Sequence, residues 1–451
     1  MLLQFSIENY LSYKDEVLLN LIPAKSRTMN DHIIEDGYGK NTKVLPIATI
    51  YGANASGKTN LVNAFEFIQR LVVKGNKADS PVDLKSFLLD PQTENEPSRF
   101  EIVFKHDGVL YTYGFVASTS TIFEEWLFAR FTSKESKLFE RITVDNIAQV
   151  EAGDRLIRDV DKKLFIDFVA RGTRPNQLFL NEAHDKNIEI LAPVVHWFKD
   201  HLQIIRPKTQ YLALDLRVSK DQEFSQYLST FLSAADTGIQ SVLCQKTKFN
   251  PELHLQDVPD DLRPEILESL AQDVSKQLLI QGPESTVSLS TEDSELQFVK
   301  LKTRHKRSDG TTIDFDPSVE SDGTRRLMHL APMLRDIWER DKVYIVDELD
   351  RSLHTHLSRF FIQSLLAGVS EQNARGQLIF TTHDTNLLDR QMLRRDEIWF
   401  VEKDTLGSSR LTSLAEYNVT DGLNFENGYL NGRFGAIPFV GDPMDLFRVG
   451  E

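Results

Sequence analysis

Residues 52–59 read Gly52-Ala53-Asn54-Ala55-Ser56-Gly57-Lys58-Thr59, a complete G-x-x-x-x-G-K-[ST] loop. The apolar run Val44 to Ile50 precedes it and reads as a buried strand, while Asn60 to Ile68 carries apolar residues at helical spacing. Strand, loop and helix therefore arrive in the order that phosphate binding needs. Gly52 and Gly57 let backbone N–H groups curl around phosphate oxygens, and the helix N-terminus adds its positive end. Asn54, Ala55, Ser56 and Asn60 complete the cradle, Lys58 is expected to reach the β/γ-phosphates, and the Thr59 hydroxyl to hold Mg²⁺. The feature predicts a bound nucleoside triphosphate, ATP, with Mg²⁺ as its companion.

The chain has 451 residues, enough for one large domain with insertions or for two lobes. No stretch approaches roughly 18 uninterrupted apolar residues, so no membrane span is expected. The first residues, Met1 to Glu8, lack a basic n-region and a long apolar core. Cys244 is the single cysteine, which excludes an intramolecular disulfide and a cysteine-rich metal site. These features predict a cytoplasmic protein. The net charge of −15 argues against a surface that grips nucleic acid everywhere. A local basic stripe remains available: Lys300, Lys302, Arg304 and Lys306 alternate on one face of an expected strand and form a candidate DNA-phosphate contact.

Leu3 to Leu21 reads as paired strands. Phe100–Phe104 and Leu110–Phe115 flank Asp107-Gly108, a hairpin with a D-G turn, and further strands are expected at 122–131 and 138–144. Residues 161–232 turn helical, with Pro193 kinking or starting a helix over 188–202. Residues 219–285, broken by Pro251, Pro259 and Pro264, read as charged helical stretches. A hairpin turns at Asp309-Gly310, and late strands are expected at 343–346, 378–381 and 397–401. The expected domains are 1–150 (phosphate loop and antiparallel β lobe), 151–290 (mainly helical arm) and 291–451 (the second half of the nucleotide-binding head).

Four later elements narrow the class. The strand Val343–Val346 delivers Asp347-Glu348 at its carboxyl end, the pattern of a Walker B element. Asp347 is expected to hold Mg²⁺ and Glu348 to polarise the attacking water. Ser321-Asp322-Gly323 opens a helix shortly upstream, where amides and a hydroxyl can meet an anion. Asp350 to His354 follows the acids, and the strand at 378–382 ends in His383-Asp384.

Together with the opening Phe5-Ser6-Ile7-Glu8-Asn9-Tyr10-Leu11-Ser12-Tyr13, this order resembles the ABC ATPases of the SMC, RecF and Rad50 type. The tail Gly428 to Pro438 makes the chain similar to the AAA15 group, related to the ATPase half of overcoming-lysogenization-defect proteins. The implied fold is α/β, a P-loop NTPase of ABC type with an antiparallel β lobe and a helical insertion. The implied roles are a signature at Ser321 and Gly323 that acts in trans on a second copy, a D-loop at Asp350–His354, and a switch histidine at His383. Lys58, Glu348 and His383 form the implied catalytic set.

Relatives of this group are components of bacterial anti-phage systems and work with a separately encoded nuclease of HNH or TOPRIM type. That is the leading expectation, with a RecF-like repair ATPase second and a stand-alone NTPase third. About 50 residues follow the last expected strand, fewer than a nuclease domain of ordinary size needs. Glu402-Lys403-Asp404 reads as a solvated turn rather than a nuclease centre.

Overall fold

Apolar side chains ring most of helix Lys58–Lys74: Leu61, Val62, Ala64, Phe65, Phe67, Ile68, Leu71 and Val72 are all buried. A helix that is apolar on several sides must be covered on several sides. In the computed structural model two sheets cover it. One has six strands in the order Leu202–Ile205, Val343–Val346, Gln377–Thr381, Ile47–Tyr51, Ile398–Lys403 and Ser409–Ser413. Its first five strands are parallel and the last is antiparallel. Every residue of Ile47–Tyr51, Val343–Val346 and Gln377–Thr381 is buried, the continuous apolar pattern of a sheet covered on both faces.

The other sheet is antiparallel and has seven strands, in the order Ile147–Ala152, Ser136–Val144, Ile122–Arg130, Val109–Ala117, Ser98–His106, Leu2–Glu8 and Val17–Asn20. It meets the helix through rings: Phe5 stacks on Phe65 at 3.9 Å between centroids, and Phe67 lies 5.0 Å from Phe100. Side chains of both sheets and of the helix share one hydrophobic core. The hairpin between its strands turns at Asp107 (φ 48°) and Gly108 (φ 77°), as a D-G turn requires.

The model describes residues 1–26, 29–35, 42–157, 159–256, 258, 263–264, 267–268, 278–281, 286–292, 295–372, 374–418 and 422–438. They divide into two compact units. The first comprises Met1–Lys208, Asp336–Asp350 and Phe361–Glu451, and contains both sheets above. The second comprises Thr209–Arg335 and Arg351–Phe360. It contains helices Leu214–Lys220 and Gln222–Ala234 and a five-stranded antiparallel sheet centred on Glu295–Lys306.

These boundaries differ from the expected 1–150, 151–290 and 291–451. Helices Val160–Gly172, Phe179–Asp185 and Ala192–His196 belong to the first unit, because Val169, Ala170, Phe179 and Val195 enter its core. Pro193 does sit in the first turn of a helix, Ala192–His196, which continues as a π-helical turn, Trp197–His201, up to strand Leu202–Ile205. Within residues 219–285, expected to be charged helical stretches, one long segment is a strand instead. Ile239–Lys248 pairs along its length with Glu295–Lys306, burying Ile239 and Val242 against the unit's interior. Its charged Lys246 and Lys248 are exposed while paired with Val299 and Gln297. Pro259 and most of the charged stretch after it lie outside the described residues.

Phe65 is fully buried and stacked between the two sheets' side chains. Phe65→Ala is expected to destabilise the first unit by about 3–5 kcal/mol, read as a lowered thermal midpoint. A melting curve unchanged from wild type contradicts this packing.

Candidate nucleotide-binding site

The phosphate loop runs from the carboxyl end of Ile47–Tyr51 into helix Lys58–Lys74. Two positions admit only glycine. A Cβ on Gly52 would lie 2.3 Å from the Val401 carbonyl oxygen. Gly57 has φ 117°, and its Cβ would lie 2.3 Å from Ser409 Oγ. Asn54 and Ala55 are exposed at the tip, Ala55 at φ 61°, while Ser56 is buried.

The loop is pinned from behind by residues that sequence reasoning gave no role. Ser409 Oγ donates to the Ser56 carbonyl at 2.5 Å and lies 2.8 Å from Ser12 Oγ, whose hydroxyl can donate to it. Ser409 N donates to the Ser12 carbonyl at 2.7 Å, and the buried Tyr13 hydroxyl donates to the Gly57 carbonyl at 3.0 Å. Asn60, expected to contact the nucleotide, instead directs Nδ2 to Ser12 Oγ at 2.8 Å. Its amide is engaged in holding the loop. Ser12 and Tyr13 were visible in the opening motif, but Ser409 carried no local signal.

Lys58 is 7% exposed and folds back on the loop, donating to the carbonyls of Gly52 at 2.7 Å and Ala53 at 3.0 Å. Burial pushes its ammonium down to about 8, against the raising pull of Asp347, Asp350 and Glu348. A desolvated lysine with only carbonyl partners is poised to exchange them for phosphate oxygens.

The expected metal residues are brought together. Thr59 Oγ1 donates to Asp347 Oδ1 at 3.3 Å, and Thr381 Oγ1 donates to the same oxygen at 2.8 Å. Arg206 Nη1 lies 3.5 Å from Asp347 Oδ2 and its other nitrogen bonds Asn63 Oδ1 at 2.6 Å and also pairs with Glu66. Thr381 also accepts from Glu348 N at 2.8 Å, so one hydroxyl positions both acids. Glu348 has φ 50°, a left-handed conformation costing about 1 kcal/mol or more in a non-glycine residue. A hydroxyl and a carboxylate converging beside a phosphate loop are the hard oxygen donors that suit Mg²⁺.

Thr381 and Arg206 were not anticipated. Arg206 follows Ile205, which pairs in register with Val346, so the arginine falls beside Asp347. That signal becomes legible only once Leu202–Ile205 is recognised as a strand. His383 is exposed, and its N–H donates to the Asp350 carboxylate at 3.3 Å. Desolvation, then the Lys58 charge, lowers its imidazole from the ordinary value, against the pull of Asp350, Glu348 and Asp347.

Ser321 and Gly323 lie in the second unit, at the start of helix Asp322–Glu339. Ser321 Oγ accepts from Thr324 N at 3.1 Å, the geometry of a helix N-cap. Gly323 has a reason to be glycine, since a Cβ there would lie 2.7 Å from the Ser352 carbonyl.

The basic stripe is largely neutralised. Lys300 lies 2.5 Å and Lys302 3.9 Å from Asp316 Oδ2, and Arg304 makes a two-pronged contact with Asp314 at 2.7 and 2.9 Å. Lys306 ends the same strand and is exposed. Pairing with acids of the facing strand removes most of the field that would attract a DNA backbone. Asp404 Oδ1 accepts from Leu406 N and Ser408 N at 2.9 Å each and shapes the expected turn, whereas Glu402 lies within strand Ile398–Lys403 and its Oε2 accepts from Ala436 N at 3.3 Å.

The family model described as "AAA domain, putative AbiEii toxin, Type IV TA system" matches residues 47–389. No curated protein shares significant sequence similarity with the chain. Among solved structures, the SMC head domain from Thermotoga maritima is 14% identical, covering 91% of this chain and 98% of that one, with a TM-score of 0.38. An SMC head bound to the C-terminal winged-helix domain of ScpA is 11% identical, covering 91% and 97%, at 0.40. The SMC head with an extended coiled coil from Pyrococcus furiosus, bound to the C-terminal domain of ScpA, is 12% identical, covering 96% and 98%, at 0.36. Among the described residues no helix is long and apolar enough to cross a membrane.

The lowered Lys58 value sets a sign. Between its folded value near 8 and the ordinary 10.5, the unfolded chain binds more protons, so ligand-free stability rises with pH across that window. Triphosphate binding restores the charge, so binding at about pH 9 is expected to take up protons. Calorimetry in buffers of different ionisation enthalpy reads this directly, and proton-neutral binding at that pH contradicts the account of Lys58.

Proposed function

The chain belongs to this AAA-domain family, and from that premise we propose that it is an ABC-type ATPase, the ATP-hydrolysing sensor, regulatory or scaffold subunit of a bacterial anti-phage complex. The observation that carries the ATPase part is the convergence of Thr59 and Thr381 on Asp347, with Thr381 also holding the Glu348 backbone, beside Lys58. Gly52 to Gly57 wrap the phosphates with backbone N–H groups, and Lys58 leaves the Gly52 and Ala53 carbonyls to neutralise the β/γ-phosphates. Thr59 and Asp347 hold Mg²⁺, which when bound neutralises charge on the phosphate oxygens. Glu348 orients the attacking water and accepts its proton, and His383 contacts the γ-phosphate from the neighbouring strand end.

The site is completed by a second copy of the chain. In this reading Ser321 and Gly323 of one copy present a helix N-terminus to the γ-phosphate held by the other. ATP then closes a head-to-tail dimer and hydrolysis loosens it, so nucleotide state becomes a conformational signal. The signal acts on a companion nuclease of HNH or TOPRIM type. The family description, which names a type IV toxin–antitoxin system, supports a component that works with a partner. The ion-paired stripe at Lys300, Lys302 and Arg304 weakens the alternative of a RecF-like DNA repair ATPase.

Glu348→Gln is expected to lower the hydrolysis rate by about 100-fold or more, to retain bound ATP and to shift the mass in solution to that of a dimer. Lys58→Ala is expected to lose nucleotide binding and stay unshifted. Phosphate release and light scattering read both, and normal turnover by the glutamine variant removes Glu348 from the mechanism. For the partner, co-purification with the product of the neighbouring gene is decisive. A nuclease whose activity differs between the two variants supports the proposal, and a replication or repair protein overturns it.

A further inference from the structure

Three side chains far from the nucleotide in sequence converge at the opposite end of the parallel strands. His106 ends strand Ser98–His106 of the antiparallel sheet, His201 immediately precedes Leu202–Ile205, and Asp341 lies just before Val343–Val346. The phosphate loop, Arg206 and Asp347 follow the carboxyl ends of their strands, so this cluster marks the amino ends. One nitrogen of each imidazole and one oxygen of Asp341 all lie within 4.8 Å of one another. The two rings meet edge to face with centroids 4.5 Å apart, and His201 Nδ1 is 3.2 Å from Asp341 Oδ1.

An ion pair between His201 and Asp341 accounts for two of the three residues. It does not account for His106, which is 6% exposed and whose Nδ1 is buried with no hydrogen-bond partner among the described residues. Leaving such an atom unsatisfied costs about 1–3 kcal/mol. Its other nitrogen, Nε2, lies 3.4 Å from Asp107 Oδ2, the kind of carboxylate contact that fixes the ring of a metal-ligating histidine. A cavity of about 800 Å³ opens onto the cluster, lined also by Lys105, Arg340 and Arg375.

We propose that His106, His201 and Asp341 bind a divalent transition metal, Zn²⁺ in class, with a coordination position open to this cavity. Two imidazoles with one carboxylate favour such an ion over Mg²⁺ or Ca²⁺, which take oxygen donors. Bonds of about 2.0–2.2 Å in a tetrahedron set ligand atoms about 3.3–3.6 Å apart. The His201–Asp341 pair, at 3.2 Å, is close to that separation, and the third ligand atom, on His106, lies within 4.8 Å of both. The ion would staple the antiparallel sheet to two strands of the parallel sheet. Three protein ligands and an open position leave room for water or an anion from the cavity.

The test uses the full chain, freed of metal with a chelator, without nucleotide, and titrated with Co²⁺. Wild type is expected to develop the visible absorption of a low-coordinate Co²⁺ site, saturating at one ion per chain and bleached by Zn²⁺. His106→Gln, His201→Gln and Asp341→Asn should each lose the band. Asp347→Ala, which removes the phosphate-loop metal ligand, should keep it. A wild type that develops no band overturns the proposal without reference to any variant. So does a band that survives all three ligand substitutions, or one that disappears in Asp347→Ala.

Discussion

The wedging of helix Lys58–Lys74 between two sheets is the constraint on which the nucleotide-binding unit rests. The helix gives up solvent on all but the stripe of Thr59, Glu66, Arg70 and Lys74, and Phe5, Phe100 and the parallel strands close around it. Its first residue is Lys58, so the burial that fixes the helix also fixes the origin of the phosphate loop. The same burial strips water from the lysine and lowers its proton affinity. Packing and electrostatics are thus one consequence of a single placement.

Around that fixed point, hydroxyl groups do the fine positioning. Thr381 donates to Asp347 and accepts from the Glu348 amide, so the last residue of one strand sets two acids on the next. Ser12 and Ser409 do the corresponding work behind the loop, tying the antiparallel sheet's first hairpin and the last strand of the parallel sheet to Ser56. Short hydroxyl side chains hold a narrow range of geometries at little entropic cost. A site assembled this way is set before nucleotide arrives.

Much of this was legible in the sequence, for identifiable reasons. The loop, the strand before it and the acids after Val346 are contiguous, and short-range pattern carries them. The D-G turn at Asp107-Gly108 and the helix start at Pro193 have local backbone causes. Arg206, Thr381 and Ser409 could not be read, because their roles depend on strand order and register between segments far apart in the chain. Ile239–Lys248 failed for a related reason: charged residues near a sheet's open edge imitate a solvated helix until the pairing strand is known. Asn60 lies inside the motif yet turns to Ser12, a contact that no motif records.

The central claim is that Lys58, Thr59 and Asp347 form one preset site for a metal-bound triphosphate. A structure determined with Mg²⁺ and a non-hydrolysable ATP analogue tests it most directly. The account predicts Lys58 Nζ withdrawn from the Gly52 and Ala53 carbonyls onto phosphate oxygens, with Thr59 and Asp347 at the ion and the Thr381–Asp347 hydrogen bond intact. A nucleotide bound elsewhere, with Lys58 still on the Gly52 carbonyl, would contradict it.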